Sequence, residues 1–126
     1  MKIKNLFKEL EKAELDEKVG IRHAIVADGD ELGMHIAEIH DHVNAHVHMK
    51  GDEIYLILKG KGEMHTAKFG EVINWDEPKI VEKDDVFVIG EKQVHHLKNI
   101  GDTPLVISFI CPHTHLTTDR KIIDNP

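Results

Sequence analysis

The sequence predicts a single all-β domain, an antiparallel sandwich or barrel preceded by a short helix. After Val19, many short apolar segments follow one another, each bounded by Gly, Asp or Pro, with almost no helical spacing between them. A length of 126 residues suits one compact core. A content of 40% hydrophobic and 31% charged residues is typical of a globular chain.

The N-terminal helix is predicted over residues 3–13. Its apolar residues recur at the three- and four-residue spacing that places them on one helical face. They are Ile3, Leu6, Phe7, Leu10 and Ala13.

Beyond Val19 the pattern changes to strands joined by turns. Asp28-Gly29-Asp30 indicates one hairpin, and the segment Lys59–Gly62 indicates a second. The predicted strands are Arg22–Ala27, Gly33–Ile39, Glu53–Leu58, Glu63–Lys68, Val72–Trp75, Lys79–Val81, Val86–Ile89, Val94–Lys98 and Leu105–Ile110.

Three histidines and one glutamate have spacings that suit a metal site. His46 and His48 are two residues apart, so on a strand both side chains leave the same face. Glu53 begins the next apolar run after a Gly-Asp turn that can bring its carboxylate back beside the two imidazoles. His95 lies in a later apolar segment and can complete the site from another strand.

These residues resemble the two motifs of the cupins, G-x5-H-x-H-x3,4-E-x6-G and G-x5-P-x-G-x2-H-x3-N. This chain has His40-x5-His46-x-His48-x4-Glu53-x6-Gly60 and Asp84-x5-Gly90-x-Lys92-x2-His95-x3-Asn99. All four metal ligands of the pattern are present. The departures are at turn positions, where His40, Asp84, Gly90 and Lys92 replace the Gly, Gly, Pro and Gly of the family.

The resemblance implies a double-stranded β-helix, also called a jelly-roll or cupin barrel. On this interpretation residues 1–18 form a helical arm, residues 19–112 the barrel, and residues 113–126 a C-terminal tail. The four ligands are then expected to bind one divalent transition metal per chain, Fe, Mn, Ni, Co or Zn, since imidazoles and a carboxylate suit each of them. Four protein ligands leave coordination positions open, as a catalytic metal requires.

The remaining histidines and the cysteine are weaker candidates. His40 with His42, and His113 with His115, repeat the His-x-His spacing, but a chain with 11 histidines contains such pairs by chance. Cys111 ends an apolar strand, where a lone cysteine is usually a small buried hydrophobic residue.

Three residues near the expected site are candidates for work on a substrate. Tyr55 alternates with Glu53 on the same strand, so it is expected on the inward face, where it can bind a substrate or fill the core. His65 and His115 are candidates for proton transfer, because an ordinary histidine titrates near neutral pH.

Charge and composition limit the kinds of partner and the compartment that the sequence predicts. A formal net charge of -7 argues against nucleic acid or an anionic membrane as the main partner. No apolar run approaches the ~20 residues of a spanning helix, and the first residues lack the apolar core of a signal peptide. The single cysteine suits a reducing cytoplasm.

Open sheet edges and the apolar stripe of the helix predict a twofold homodimer. The expected ligand is a small molecule.

Two classes of function remain open. The first is a metal-dependent enzyme acting on a small hydroxy or keto compound, most readily a dioxygenase-type oxidation, with a sugar-phosphate isomerase as the runner-up. The second is a non-catalytic module in which the metal organises a pocket for a small ligand. The isomerase ranks lower because neither arginine, Arg22 or Arg120, can be placed near the site from the sequence.

Overall fold

The computed structural model describes all 126 residues as one helix, one short 3-10 helix and eleven strands. The elements are α1 (Leu6–Lys12), β1 (Leu15–Asp16), β2 (Ile21–Asp28), β3 (Leu32–Ile39), β4 (His42–Val47), β5 (Glu53–Lys59), β6 (Lys61–Lys68), β7 (Lys79–Glu82), β8 (Val86–Ile89), β9 (Gln93–Asn99), β10 (Leu105–Pro112), the 3-10 helix (His113–Leu116) and β11 (Lys121–Ile122).

The strands form two antiparallel sheets that enclose the core. One sheet has the order β1-β2-β3-β10-β5-β8, and the other has the order β11-β4-β9-β6-β7. Alternate residues of both sheets point inward, as strand geometry requires, and ten of them form the main apolar cluster. This arrangement confirms the predicted all-β barrel with a short N-terminal helix.

Helix α1 is shorter than the predicted span and packs on the barrel of its own chain. The Asn5 side chain accepts a hydrogen bond from the Lys8 backbone N–H, which caps the helix at this residue rather than at residue 3. Leu10 is buried against Val26, Ile36 and Val106 on the outer face of the first sheet. The apolar stripe of the helix is therefore buried within one chain.

The predicted strand Val72–Trp75 is wrong. Only one isolated bridge, between Ala67 and Trp75, remains in this segment. Ile73 and Trp75 instead pack from an irregular loop against a small apolar cluster outside the second sheet. Apolar residues in a loop that covers a sheet give the same short-range pattern as a strand, because both bury alternate side chains.

The C-terminal segment closes one end of the barrel. After β10 the chain forms the 3-10 helix with a buried His115, and β11 then pairs with β4, with Ile122 opposite His46. The Asn125 side chain also accepts a hydrogen bond from the Ala45 backbone N–H. The segment thus lies beside the strand that carries His46.

The structure contains no helix that is both long and apolar enough to cross a membrane.

Candidate metal centre

The structure brings the four predicted metal-ligating residues together inside the barrel. His46 on β4 is paired directly with His95 on β9, His48 follows the end of β4, and Glu53 begins β5. Their nearest ligand atoms all lie within 4.8 Å of one another. Each side chain is almost fully buried, between 2% and 6% exposed. Three strands, β4, β5 and β9, therefore build one cluster.

Backbone carbonyl groups fix the orientation of all three imidazole rings. Nδ1–H of His46 donates to the Asn44 carbonyl at 2.8 Å, and Nδ1–H of His95 donates to the Gln93 carbonyl at 3.0 Å. Nδ1–H of His48 donates to the carbonyl of Asp119, in the C-terminal segment, at 2.6 Å. With the proton on Nδ1, each Nε2 has a free lone pair. Such outer hydrogen bonds are typical of metal-binding histidines.

The cluster contains buried nitrogen atoms that have no binding partner within the protein. Nε2 of His48 and Nε2 of His95 have no hydrogen-bond partner. Nε2 of His48 lies 2.6 Å from Oε1 of Glu53, yet their geometry is not that of a hydrogen bond. Leaving buried polar groups unpaired is costly, whereas a divalent cation accepts all these lone pairs at once. Three imidazoles and one carboxylate therefore fit one transition metal ion.

The charge states of the cluster also suit a metal. Burial lowers the pKa of His46 to about 3 and that of His95 to about 4, so both rings are neutral at pH 7. Burial alone would raise the pKa of Glu53, but the hydrogen bond from His115 and the nearby His48 ring hold it well below its usual range. The site thus presents neutral imidazoles and an ionised carboxylate, the forms in which these residues bind metals.

His115, a predicted proton-transfer residue, lies behind Glu53 rather than in an open pocket. Its ring is buried and stacks on His48, with ring centres 3.9 Å apart. Its Nδ1 donates to Oε1 of Glu53 at 3.1 Å, and its Nε2 donates to the carbonyl of Lys50. Burial opposes a charge on this ring, but the hydrogen bond to Glu53 raises its pKa overall. Because both ring nitrogens are engaged, this placement suits orienting Glu53.

His65, the other predicted proton-transfer residue, lies on the outer face of the second sheet. Its neighbour Met64 belongs to the core, so the His65 side chain points to the opposite side. Nε2 of His65 is hydrogen-bonded to Glu63 at 2.6 Å, and the ring lies edge-on to Trp75. The structure does not bring His65 to the cluster.

A cavity of about 210 Å³ lies against the cluster inside the barrel. Most of its wall is apolar, and Tyr55 is part of that wall as predicted from strand alternation. Burial raises the pKa of Tyr55 well above its usual value, so its hydroxyl is neutral. The lining residues are Ile21, His23, Ala37, Ile39, Val43, His46, His48, Glu53, Tyr55, Ile107, Phe109, Leu116 and Arg120.

Two polar residues of this wall were missed at the sequence level. Arg120, from the C-terminal segment, and His23, from β2, line both this cavity and a wider outer vestibule. Neither belongs to a motif, and only the folded chain places them near His46 and Glu53. The pairing of β11 with β4 is what carries Arg120 to the cavity mouth.

The weaker candidates occupy other positions. His40 is hydrogen-bonded to Glu38, and His42 is hydrogen-bonded to Asp41 and Asn44, so neither faces the cluster. Cys111 is buried beside Glu53 and His115 and forms a second possible ligand group with them. Burial raises the pKa of its thiol to about 12, so the thiol is protonated in the metal-free protein.

Two residues that depart from the cupin motif have an unusual backbone conformation. Asp84 and Lys92, at positions where the motif has glycine, adopt positive φ angles of 73° and 62°. These are left-handed conformations that glycine adopts most easily. The turn before His95 therefore keeps the backbone shape of the motif without its glycine.

Comparison with known proteins agrees with this architecture. A family model for the cupin domain matches residues 34–111. The chain belongs to the cupin family. No curated protein matches the sequence.

Solved structures share the fold of this cupin at low sequence identity. KdgF from Halomonas sp. has a TM-score of 0.70 and 18% identity, covering 90% of this chain and 94% of its own. A double-stranded β-helix protein from Klebsiella pneumoniae has a TM-score of 0.73 and 13% identity, covering 99% of both chains. Oxalate oxidase in complex with the substrate analogue glycolate has a TM-score of 0.70 and 16% identity, covering 91% of this chain and 61% of its own. At these identities the likeness shows the fold alone.

Proposed function

We propose that this cupin is a metal-dependent enzyme that oxidises a small hydroxy or keto compound with dioxygen. The observation that carries the proposal is the buried cluster of His46, His48, Glu53 and His95 at the wall of an apolar cavity. Four protein ligands leave part of the coordination sphere of a five- or six-coordinate ion for substrate. Bound there, a redox-active metal such as iron supplies activation of oxygen and polarisation of the substrate.

The protein's own part in the reaction is to hold the substrate and to exclude water. Apolar walls from Ile39, Ile107 and Phe109 keep bulk water from the reacting atoms. A cavity of about 210 Å³ accepts a small molecule beside the cluster. The outer vestibule, which also contacts His23 and Arg120, leaves room for a longer tail.

Arg120 narrows the substrate class to compounds with an anionic group. It is the only arginine at the cavity, and no acidic side chain of the protein forms an ion pair with it. A guanidinium binds a carboxylate through two parallel hydrogen bonds. The substrate proposed is therefore a small hydroxy or keto acid. The oxalate oxidase complex with glycolate is a related fold holding a ligand of this chemical type.

The same arginine supports a second candidate, the isomerase. A sugar phosphate requires a cation near the metal, and Arg120 supplies one where the sequence alone offered none. The mostly apolar wall of the inner cavity favours hydroxy and keto acids over the more polar sugar phosphates, so oxidation remains the first choice. The third hypothesis is a non-catalytic module that binds the same acids. An assay of oxygen uptake and substrate conversion distinguishes these three functions.

The test combines metal analysis with oxygen uptake. Protein purified without added metal is expected to contain about one divalent metal per chain, and His48→Ala and His95→Ala are expected to lose most of it. His40→Ala, which removes an exposed histidine outside the cluster, is the matched control. Near-stoichiometric metal in both cluster variants would refute the site.

Fe(II)-loaded protein is then assayed against catechols, thiols, hydroxy ketones, and hydroxy and keto acids. Oxygen consumption above that of free Fe(II), highest for the acids, is the expected result. Conversion of a sugar phosphate without oxygen would indicate the isomerase, and tight binding without conversion would indicate the binding module. Arg120→Gln is expected to raise KM for the acids more than it lowers kcat, since Gln keeps polarity but not charge.

A further inference from the structure

His23 and His35 form a hydrogen-bonded histidine pair beside the cavity, on strands that carry no metal ligand. His35 is buried and His23 is exposed. Nε2 of His23 lies 2.8 Å from Nδ1 of His35, and the two nearly parallel rings lie edge to edge with centres 5.1 Å apart. His35 also stacks on Phe109, with ring centres 4.7 Å apart and planes 6° from parallel. His23 lines the cavity, and His35 lies behind it.

The environment of His35 determines which nitrogen carries its proton. His35 is 1% exposed, and its Nε2 has no hydrogen-bond partner. A proton on Nε2 would leave a buried donor unsatisfied, at a cost of about 1–3 kcal/mol. A proton on Nδ1 instead leaves Nε2 as an unfilled acceptor, which buried sites tolerate more often than an orphaned N–H group. Nδ1–H of His35 then donates to Nε2 of His23. Burial, together with repulsion from His23, lowers the pKa of His35 to about 4, so the ring is neutral at pH 7.

The tautomer of His23 follows from that of His35. If Nδ1–H of His35 donates, then Nε2 of His23 is the acceptor and carries no proton. A neutral His23 must then have its proton on Nδ1, the nitrogen for which the protein supplies no partner. In a neutral imidazole one nitrogen donates and the other accepts, so the pair fixes both roles. Nδ1–H of His23 is thus a free donor at the cavity mouth.

No other residue of the cavity wall supplies a free, neutral hydrogen-bond donor of this kind. Arg120 is a cation and Tyr55 is buried, while His115 lies outside the wall with both ring nitrogens engaged. A neutral donor fixed in direction stabilises charge that develops on a substrate oxygen without reorganising during the reaction. His23 therefore complements the metal cluster from the β2 side of the cavity.

We propose that His23 is a catalytic residue that donates a hydrogen bond from Nδ1 to an oxygen of the bound hydroxy or keto acid, and that His35 is the positioning residue that fixes its tautomer. The inference rests on the proposed function for the substrate class. No proton is transferred in this role: the N–H bond of His23 stays intact while negative charge grows on the substrate oxygen.

The tautomer is tested first, because it requires no substrate. Zn(II)-loaded protein labelled with ¹⁵N-histidine is examined by two-bond ¹H–¹⁵N correlation spectra, with His23→Phe and His35→Phe used for assignment. We expect His23 at pH 7 to be the Nδ1–H form alone. His35→Phe keeps the ring stack but removes the N–H, so His23 should revert to a mixture of tautomers. His35→Asn, whose amide nitrogen can replace Nδ1–H, should restore the Nδ1–H form. A wild-type His23 in the Nε2–H form, or unchanged by His35→Phe, would overturn the proposal.

Turnover provides the second readout. With an acid that the wild type oxidises, His23→Phe is expected to lower kcat by about 10²–10³, as loss of one preorganised donor does, with metal content unchanged. His35→Phe should lower kcat less, and His35→Asn should recover part of the loss. His40→Phe, at an exposed site away from the cavity, is the control. An unchanged kcat in His23→Phe refutes the catalytic role. If the wild type oxidises no acid, the proposed function fails and the catalytic role fails with it, whereas the tautomer result remains a separate measurement.

Discussion

At the scale of single residues, hydrogen bonds behind the cluster orient its ligands. His115 holds the Glu53 carboxylate with one nitrogen and the Lys50 carbonyl with the other, and its ring packs flat on His48. It therefore fixes one ligand by hydrogen bonding and a second by packing. Groups in this position typically change metal affinity by 10- to 100-fold.

His115→Phe tests this role because phenylalanine keeps the ring stack and removes both hydrogen bonds. We expect metal affinity to fall about 10- to 100-fold, since the Glu53 carboxylate loses its orientation. The measurement is competition with a chelator of known affinity. His65→Phe removes a part-buried histidine on the outer sheet face and should leave the affinity unchanged. Equal affinity of His115→Phe and wild type would show that Glu53 needs no such support.

The sequence predicts the four cluster residues but not their surroundings, for a physical reason. His46, His48 and Glu53 are close in sequence, and strand alternation alone determines which face they share. His23 and Arg120 reach the cavity only through long-range pairing, Ile21 with Ile39 and Ile122 with His46. No local pattern contains that information. Tyr55 was predictable because it alternates with Glu53 on one strand.

At the scale of elements, alternation also explains which strands were predicted and which was not. Strands such as β5 and β6 bury one face, so their period of two is visible in the sequence. The segment Val72–Trp75 gives a similar signal but forms a loop, because Gly70 and Pro78 limit pairing on either side. The β4 strand was not predicted as a whole, since its histidines interrupt the apolar pattern.

The turn between β8 and β9 contains a strained residue whose replacement should stabilise the fold. Lys92 has a φ of 62°, a conformation that costs a side-chain-bearing residue about 1 kcal/mol. Lys92→Gly removes that cost, although glycine also makes the unfolded chain more flexible. We expect a net gain of about 0.5 kcal/mol or more in the free energy of unfolding, measured with urea.

A matched control for Lys92→Gly lies six residues further along the chain. Lys98 is exposed on β9, where the backbone is extended and glycine has only an entropic cost. Lys98→Gly should therefore destabilise by about 0.5–1 kcal/mol, the opposite sign for the same exchange. Destabilisation by both substitutions would show that the left-handed turn carries no strain.

At the scale of the whole molecule, the buried histidines predict acid sensitivity of the metal-free protein. Burial lowers the pKa values of His35 and His95 to about 4 and that of His46 to about 3, below the ordinary value of 6.5. Between these values the unfolded chain binds more protons than the folded one, so stability falls as the pH falls. These three histidines contribute fully to the stability of the fold above pH 6.5. The contribution of His35 and His95 is lost as the pH falls toward 4, and that of His46 as it falls toward 3. His115, whose pKa is raised, acts in the opposite direction.

Urea unfolding at pH 7.5 and at pH 5 measures this loss. We expect His35 alone to account for on the order of 1–2 kcal/mol of it. His35→Asn keeps a polar group of similar reach but does not titrate, so its loss between the two pH values should be smaller than that of the wild type by this amount. An equal loss in both proteins would mean that folding does not lower the pKa of His35.

The second prediction at this scale concerns the predicted homodimer, whose interface we place at strand β8 rather than at the helix. The stripe on α1 is already buried against its own barrel by Leu10 and its neighbours. Edge strand β8 pairs only with β5 and leaves its other side open. Ile54 lies opposite Val88 on these two strands, and the two are 45% and 56% exposed. Val86, 63% exposed, extends the same patch.

We expect two copies to pair antiparallel along β8 about a twofold axis, which satisfies the free backbone groups and buries this apolar patch in one step. Val88→Glu should convert the dimer to a monomer at micromolar concentration, measured by light scattering, because it places two like charges close together in a dry interface. Val72→Glu makes the same exchange at an exposed loop residue and should leave the dimer intact. A dimer that survives Val88→Glu excludes β8 as the interface. A wild-type monomer would mean that the open edge is tolerated, as short edge strands with neighbouring charges can be, and β8 has only four residues.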